Sequence, residues 1–166
     1  MRVAVYGTGA VGGYFGGRLA QAGVDVSFIA RGPHLQAIRE KGLQINSLQG
    51  NFKIHPAQAT SDPAAVGPVD LVILGVKAWQ VREAAQAMQP MIGEDAVVLP
   101  LQNGVDAARQ LAEVLGEDHV VGGLCRIMGM IAAPGIIQHM GAAPYIAFGK
   151  RHGPPGRRLK RLQALF

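Results

Sequence analysis

Cysteine, aromatic side chains and charge are all scarce in this chain of 166 residues. A single cysteine, Cys125, means that no internal disulfide can form, which fits a reducing compartment and sets the expectation of a cytoplasmic protein. Aromatic residues make up 5% and charged residues 16%, against 49% hydrophobic residues. That apolar share can fill a core, so a disordered chain is excluded. Long apolar runs are missing too. None approaches the ~20 residues of a bilayer crossing, and the opening Met1-Arg2-Val3-Ala4-Val5-Tyr6 meets glycines too soon for a signal peptide. Metal-ligand spacing is absent: there is no cysteine pair and no His-x-x-x-His or His-x-x-Glu on a helical pattern. None of the five histidines stands with an acid in a way that suggests an oriented proton donor.

A basic body is also lacking, although the formal net charge is +5. Residues 1–149 hold ten Lys/Arg against eleven Asp/Glu, whereas residues 150–166 hold six basic residues and no acid. A nucleic-acid-binding domain would carry its basic residues through the fold, so a nucleic-acid partner is not expected.

Glycine is abundant at 23 residues, and the pattern around it is regular. Apolar strand-like runs alternate with helical periods, the signature of βαβ units in a mostly parallel, doubly wound α/β sheet. Val3 to Tyr6 reads as a strand, followed by Val11, Phe15 and Leu19 at helical spacing and Gly23 as a cap. Val26 to Ala30 is a second strand, stopped by Arg31-Gly32-Pro33, with a short helix from His34 to Lys41. Leu43 to Leu48 and Phe52 to Ile54 flank Gln49-Gly50-Asn51 and predict a hairpin on the edge of the sheet. Leu71 to Val76 and Ala96 to Leu101 read as buried parallel strands, with helices around Val81–Met88 and Ala107–Leu115, and Val120 to Leu124 as the last parallel strand. Short strand-like runs, Ile136 to His139 and Tyr145 to Phe148, follow Pro134-Gly135. Gly153-Pro154-Pro155-Gly156 predicts a linker, so residues 1–150 form the Rossmann-like domain and residues 151–166 a basic linker and the start of a helix. In that helix Leu159, Leu162 and Leu165 fall in step, and the face is expected to lie exposed with its packing partner missing.

The first chemical motif is Gly7-Thr8-Gly9-Ala10-Val11-Gly12. Alone the spacing is weak evidence. Here it follows an apolar strand and opens a helix, the setting in which it binds dinucleotides. Gly7 permits the turn, Gly9 lets backbone approach a pyrophosphate, Gly12 allows close helix packing, and the helix N-terminus offers N–H groups to phosphate. NAD sites usually carry an acid at the end of the second strand. This strand ends Phe28-Ile29-Ala30-Arg31, and a forked guanidinium suits the 2′-phosphate of NADPH. Lys77 and Asn103 each follow a buried strand at its carboxyl end, where such sheets bind ligands. Lys77 could meet phosphate or a substrate carboxylate, and Asn103 the nicotinamide ribose or a substrate oxygen. Cys125 reads as a buried thiol, Trp79 as packed beside the cleft, and Met128, Met130 and Met140 as core.

With these residues in view, the chain resembles the N-terminal domain of the ketopantoate reductase family. The matching pieces are the glycine loop, Arg31-Gly32, Lys77-Ala78-Trp79-Gln80, Gln102-Asn103-Gly104 and the segment from Gly122 to Gly135. The family reduces 2-dehydropantoate to pantoate with NADPH, on the way to pantothenate and coenzyme A. The resemblance implies that Gly7, Thr8, Gly9, Ala10, Val11, Gly12 and Arg31 hold NADPH, that Lys77 lies by the adenosine phosphate or in the cleft, and that Asn103 meets cofactor and substrate. It implies that the backbone of Gly129 touches the cofactor. In the family, a lysine of a helical C-terminal domain protonates the product oxygen; nothing here matches that domain, so the chain looks like a fragment with no catalytic residue of its own. The expected partner is a small 2-oxo acid, in a possible homodimer. The alternatives are a reductase of another 2-oxo acid and a dinucleotide-sensing module without catalysis.

Overall fold

Residues 1–154 and 156–166 are described by a computed structural model; of the linker Gly153-Pro154-Pro155-Gly156, Pro155 lies outside the described residues. The elements run β1 (Arg2–Tyr6), α1 (Ala10–Gln21), β2 (Asp25–Ile29), α2 (Gly32–Lys41), β3 (Leu43–Asn46), β4 (Phe52–Ile54), β5 (Gln58–Thr60), β6 (Val69–Leu74), α3 (Val81–Ala87), β7 (Ile92–Pro100), α4 (Ala107–Leu115), β8 (Val121–Ala133), β9 (Ile136–Lys150) and α5 (Arg157–Gln163). Single helical turns fill several of the connections.

Five strands form a wholly parallel sheet in the order β5-β2-β1-β6-β7. After β1 the chain builds outward through β2 and β5, then returns to the other side of β1 with β6. The carboxyl ends of β1 and β6 therefore flank the point where the winding reverses, the crevice where such sheets bind ligands. Strand period splits the core in two. Val3, Val5, Val26, Phe28, Leu71, Ile73, Val97 and Leu99 point to one face, towards α1 and α2. Ala4, Tyr6, Ile29, Val72, Leu74 and Val98 point to the other, towards α3 and α4. Helices on both faces explain why β6 is apolar along nearly its whole length.

A second sheet, β4-β3-β9-β8, covers α1 on the side away from the first. Helix α1 is thus held between two sheets, and its glycines make room for both. A Cβ on Gly12 would overlap the Gly7 carbonyl, and one on Gly16 would overlap the Val5 side chain of β1. On the opposite face a Cβ on Gly13 would lie 3.0 Å from Cγ1 of Ile137, and one on Gly17 3.0 Å from Cδ1 of Ile45, both from the second sheet.

Several sequence expectations need correction. The hairpin β3–β4 forms as expected, but on the edge of the second sheet, because β3 pairs in parallel with β9. The edge of the first sheet beside β2 is β5, too short and polar to register as a strand. Val120 makes one parallel bridge to Val98; from Val121 the chain leaves the parallel sheet and pairs antiparallel with β9 as far as Ala133. The Gly122-Gly123 pair allows this crossing, since a Cβ on Gly123 would sit 2.5 Å from the Pro100 carbonyl oxygen. The two short runs after Pro134-Gly135 are one strand, β9. Its pairing shifts between Arg126 and Met128, where residues 141–144 are taken up. Met128, Met130 and Met140 are exposed rather than core, because they alternate outward along this ladder.

Helix α5 also differs from expectation. Leu159 and Leu162 are buried, Leu162 to 1% exposure, and Leu165 packs beside them in the cluster that holds Val97 and Val121. The leucine face therefore has its partner within the chain, and each buried leucine contributes about 1.5–3 kcal/mol. The tail's basic residues meet acids of the body: Arg158 lies 2.8 Å from Asp95, Arg161 4.0 Å from Asp70, and Arg151 pairs with Glu117. Such exposed pairs add little stability, about 0–1 kcal/mol each. Among the described residues, no helix is long and apolar enough to cross a membrane.

Gly16→Val should lower the stability of the fold by about 1–3 kcal/mol or more, because the added methyls have only Val5 and Phe28 to displace. Urea unfolding followed by circular dichroism measures it. An unchanged midpoint would show that α1 can move off the parallel sheet.

Candidate functional site

The loop after β1 is built around one carbonyl. The backbone N–H groups of Gly7 and Thr8 donate to the Ile29 oxygen of β2 at 3.3 and 3.0 Å, and the Thr8 hydroxyl donates to the same oxygen at 2.9 Å. Thr8 is buried; its side chain staples the loop to β2 and turns away from the cleft. At the start of α1 the N–H groups of Ala10, Val11 and Gly12 have no carbonyl one turn back; Val11 lines the crevice, whereas Gly12 is buried against Gly75.

The glycines of the loop answer different demands. Gly7 has φ +96°, and a Cβ there would meet Val76 at 2.9 Å. Gly12 is required by the Gly7 carbonyl beneath it. Gly75, at the end of β6, belongs to the same contact: its Cβ would lie 2.7 Å from the Gly7 oxygen and 3.0 Å from the Gly12 nitrogen. Gly9 differs. Its backbone is extended, and a Cβ there would meet no atom within 4 Å. None of the described residues asks for glycine at Gly9; the space beside it lies in the cleft.

Two hollows follow this crevice and share Gly75, Val76 and Lys77. The first, about 300 Å³, is lined by Gly7, Thr8, Gly9, Arg31, His34, Lys77 and Glu83, with Tyr6 and Gln80 among its further walls. The second, about 360 Å³, is lined by Val11, Lys77, Trp79, Gln102, Asn103 and Cys125, with Ile127 of β8 beside them. Arg31 and Asn103 thus lie in different hollows, and Lys77 touches both. Gly129 lines neither. It shares a face of β8 with Ile127 and with Ile131 of the first hollow, and a Cβ there would come 3.6 Å from Cβ of Ala10. That puts its backbone against the start of α1.

Two further residues of the site, Tyr6 and Gln102, were given no role from the sequence. Tyr6 ends β1 with its hydroxyl beside the Arg31 guanidinium; burial pushes the phenol pKa up, and the cation opposes that rise. Gln102 donates from Nε2 to the Leu74 carbonyl at 2.8 Å, while its Oε1 is buried without a hydrogen-bond partner among the described residues. A buried acceptor of this kind needs a donor from water or a ligand. Cys125 is half-buried on the wall of the second hollow, where burial raises its thiol pKa and keeps it protonated. Trp79 stands beside the cleft but is 82% exposed.

His34 sits in the first turn of α2 and links three elements. Its Nδ1 accepts the Gly135 N–H at 2.9 Å from the β8–β9 turn. Nε2 must then carry the proton that is donated to the Thr8 carbonyl at 2.8 Å. Its one ring proton is already committed. His139, also unassigned from the sequence, is fully buried. It meets Ser47 Oγ at 2.8 Å through Nδ1 and serves the second sheet, away from the cleft.

A family model described as ketopantoate reductase PanE/ApbA matches residues 3–153. The chain is 32% identical to the uncharacterized oxidoreductase YkpB of Bacillus subtilis over all of its own length and 54% of the relative. A crystal structure of 2-dehydropantoate 2-reductase from Porphyromonas gingivalis superposes with TM-score 0.92 at 35% identity, over 99% of this chain and 60% of that one. A ternary structure of D-mandelate dehydrogenase with NADH and anilino(oxo)acetate superposes with TM-score 0.89 at 26% identity, over 99% of this chain and 53% of that one. The chain spans about half the length of the curated relatives it matches.

Burial lowers the His34 pKa below its ordinary value, against the opposing pull of the Thr8 carbonyl. The folded chain therefore binds fewer protons at His34 than the unfolded chain does. This contribution to stability is complete above about pH 6.5 and is lost as pH falls from there through the depressed folded value. Urea midpoints measured from pH 7.5 down to 5 should fall in the wild type and fall less in His34→Gln, whose amide can still donate to Thr8. Equal slopes would remove His34 as the source.

Proposed function

Because the chain belongs to the ketopantoate reductase family of oxidoreductases, we propose that these residues form the NADPH-binding half of a reductase that converts 2-dehydropantoate to pantoate. The observation that carries the cofactor reading is the open space beside Gly9, at the mouth of a loop whose other glycines are demanded by packing. A pyrophosphate in that space would take the N–H groups of Ala10 and Val11 and the positive end of the helix dipole. Arg31 would face the 2′-phosphate of the adenosine ribose, with Lys77 as a second cation. The unpartnered Gln102 Oε1 and the Asn103 amide would serve the nicotinamide end and the substrate.

When bound, NADPH supplies the hydride that a 2-oxo acid takes at its ketone carbon. The oxygen must then gain a proton. His34 is an unsuitable source, since its Nε2 proton is held by the Thr8 carbonyl and burial keeps the ring neutral. We assign no proton donor among residues 1–166 and read their role as binding and orienting the dinucleotide. The exposed rim at Trp79 and Asn103 would meet the 2-oxo acid and whatever closes over it.

A second reading is favoured by the resemblance to D-mandelate dehydrogenase with NADH: reduction of a different 2-oxo acid on the same dinucleotide cleft. Calorimetric titration of the NADPH-loaded chain with 2-dehydropantoate and with an aryl-substituted 2-oxo acid, read as binding and not as turnover, separates the two.

Arg31→Ala should weaken NADPH binding by about 1.5 kcal/mol, roughly ten-fold, and leave NADH affinity nearly unchanged. That is the low end for a charge-assisted contact because the guanidinium is 65% exposed. Calorimetric titration checks it, and a retained preference would sink the assignment of Arg31.

Gly9→Val should abolish binding of either dinucleotide while the urea midpoint stays within about 0.5 kcal/mol of wild type, as for a substitution that touches no neighbour. A Gly9→Val chain that binds normally would contradict the pyrophosphate reading.

A further inference from the structure

The first hollow holds a carboxylate that the usual position of such an acid would not reveal. An NAD site draws its acid from the end of the second strand, and here that position is Arg31. The fold brings Glu83 to the same hollow from the first turn of α3, on the far side of the crevice. Its Oε1 lies 3.7 Å from Nη2 of Arg31, and both side chains are about two-thirds exposed. At that distance the two attract without a hydrogen bond, so Arg31 is biased towards Glu83 but not held by it. Tyr6 stands beside the guanidinium, and Gln80 and Lys77 complete the wall.

Resting on the reading that this hollow takes the adenosine end of a dinucleotide, we propose that Glu83 sets the discrimination between NADPH and NADH, as an acid working against Arg31. A 2′-phosphate brought to Arg31 carries nearly two negative charges into the neighbourhood of the Glu83 carboxylate. Arg31 and Lys77 together offer two positive charges, and Glu83 offsets one of them. The same carboxylate is an acceptor for the 2′- and 3′-hydroxyls of a ribose without phosphate. Arg31 therefore favours the phosphorylated cofactor and Glu83 moderates that preference, leaving NADH a usable ligand. Both groups stand in solvent, so the repulsion is that of charges at high dielectric, several-fold in affinity and sensitive to salt.

The test is calorimetry on the full chain, wild type and Glu83→Gln, with NADPH, NADH and 2′,5′-ADP at about 50 mM and 500 mM salt. Glu83→Gln should bind NADPH and 2′,5′-ADP about three- to ten-fold more tightly at low salt, with NADH unchanged or weaker, and the gain should shrink at high salt. Glu113→Gln removes a carboxylate that pairs with Arg82 and Arg109 outside the hollow, and it should leave the ratio of the two affinities where it was. A ratio unmoved in Glu83→Gln, or moved towards NADH, overturns the assignment of Glu83 while leaving the cofactor reading standing. A wild-type chain that binds none of the three ligands overturns the cofactor reading, and this inference with it.

Discussion

Helix α1 lies between two sheets, and the lack of side chains at Gly12, Gly13, Gly16 and Gly17 lets it come close to both. Gly12 and Gly16 face Val5 and the loop carbonyl beneath, and Gly13 and Gly17 face Ile137 and Ile45. Packed interiors have no slack of even one methyl group at such contacts. The approach also fixes what surrounds the start of the helix. On one side the Gly7 carbonyl, Gly12 and Gly75 close on one another at the reversal point of the parallel sheet. On the other, β8 is drawn in until a Cβ on Gly129 would touch Ala10 and Ile127 and Ile131 become walls of the crevice. The free N–H groups of the helix and the cleft they open into thus follow from one packing requirement.

Around that start the polar groups are divided between holding the loop and leaving it open to a ligand. Ile29 takes two backbone N–H groups and the Thr8 hydroxyl, and His34 takes the Thr8 carbonyl. These bonds make the loop stiff without using the donors of Ala10, Val11 and Gly12. The charged groups of the first hollow, Arg31, Lys77 and Glu83, stand farther out, in solvent. Hydrogen-bonded neutral backbone near the helix and exposed charge at the rim suit a site whose general grip comes from the fold and whose selectivity comes from a few replaceable side chains.

The tail is part of this body. With Leu159 and Leu162 buried against Val97 and Val121, α5 covers the face that α1 and α2 leave open beside β7. The arginines that give the tail its charge meet Asp95, Asp70 and Glu117. Outward side chains remain along β8 and β9, where Leu124, Met128 and Met130 alternate with residues that face the cleft.

The sequence by itself determined the local elements and the chemical character of the crevice. A strand needs only alternating or continuous apolar residues, and Val3–Tyr6 and Leu71–Leu74 carry them within a few positions. A tight turn that opens a helix needs glycines at fixed offsets, and Gly7, Gly9 and Gly12 supply them. The carboxyl-end positions of Arg31, Lys77 and Asn103 follow from strand polarity alone. The tertiary structure decided which strands share a sheet, because pairing depends on partners far along the chain. Nothing in Leu43–Asn46 indicates that its neighbour is Ile136–Gln138, and nothing in Val121–Ala133 shows that it abandons the parallel sheet for β9. The second glycine face of α1, Gly13 and Gly17, had no visible purpose until that second sheet lay against it. Glu83 and His34 reach the crevice from α3 and α2, and sequence distance carries no record of that convergence. The leucines of α5 followed the same rule: their helical spacing showed a face to be buried, and only the folded body supplied the surface that buries it.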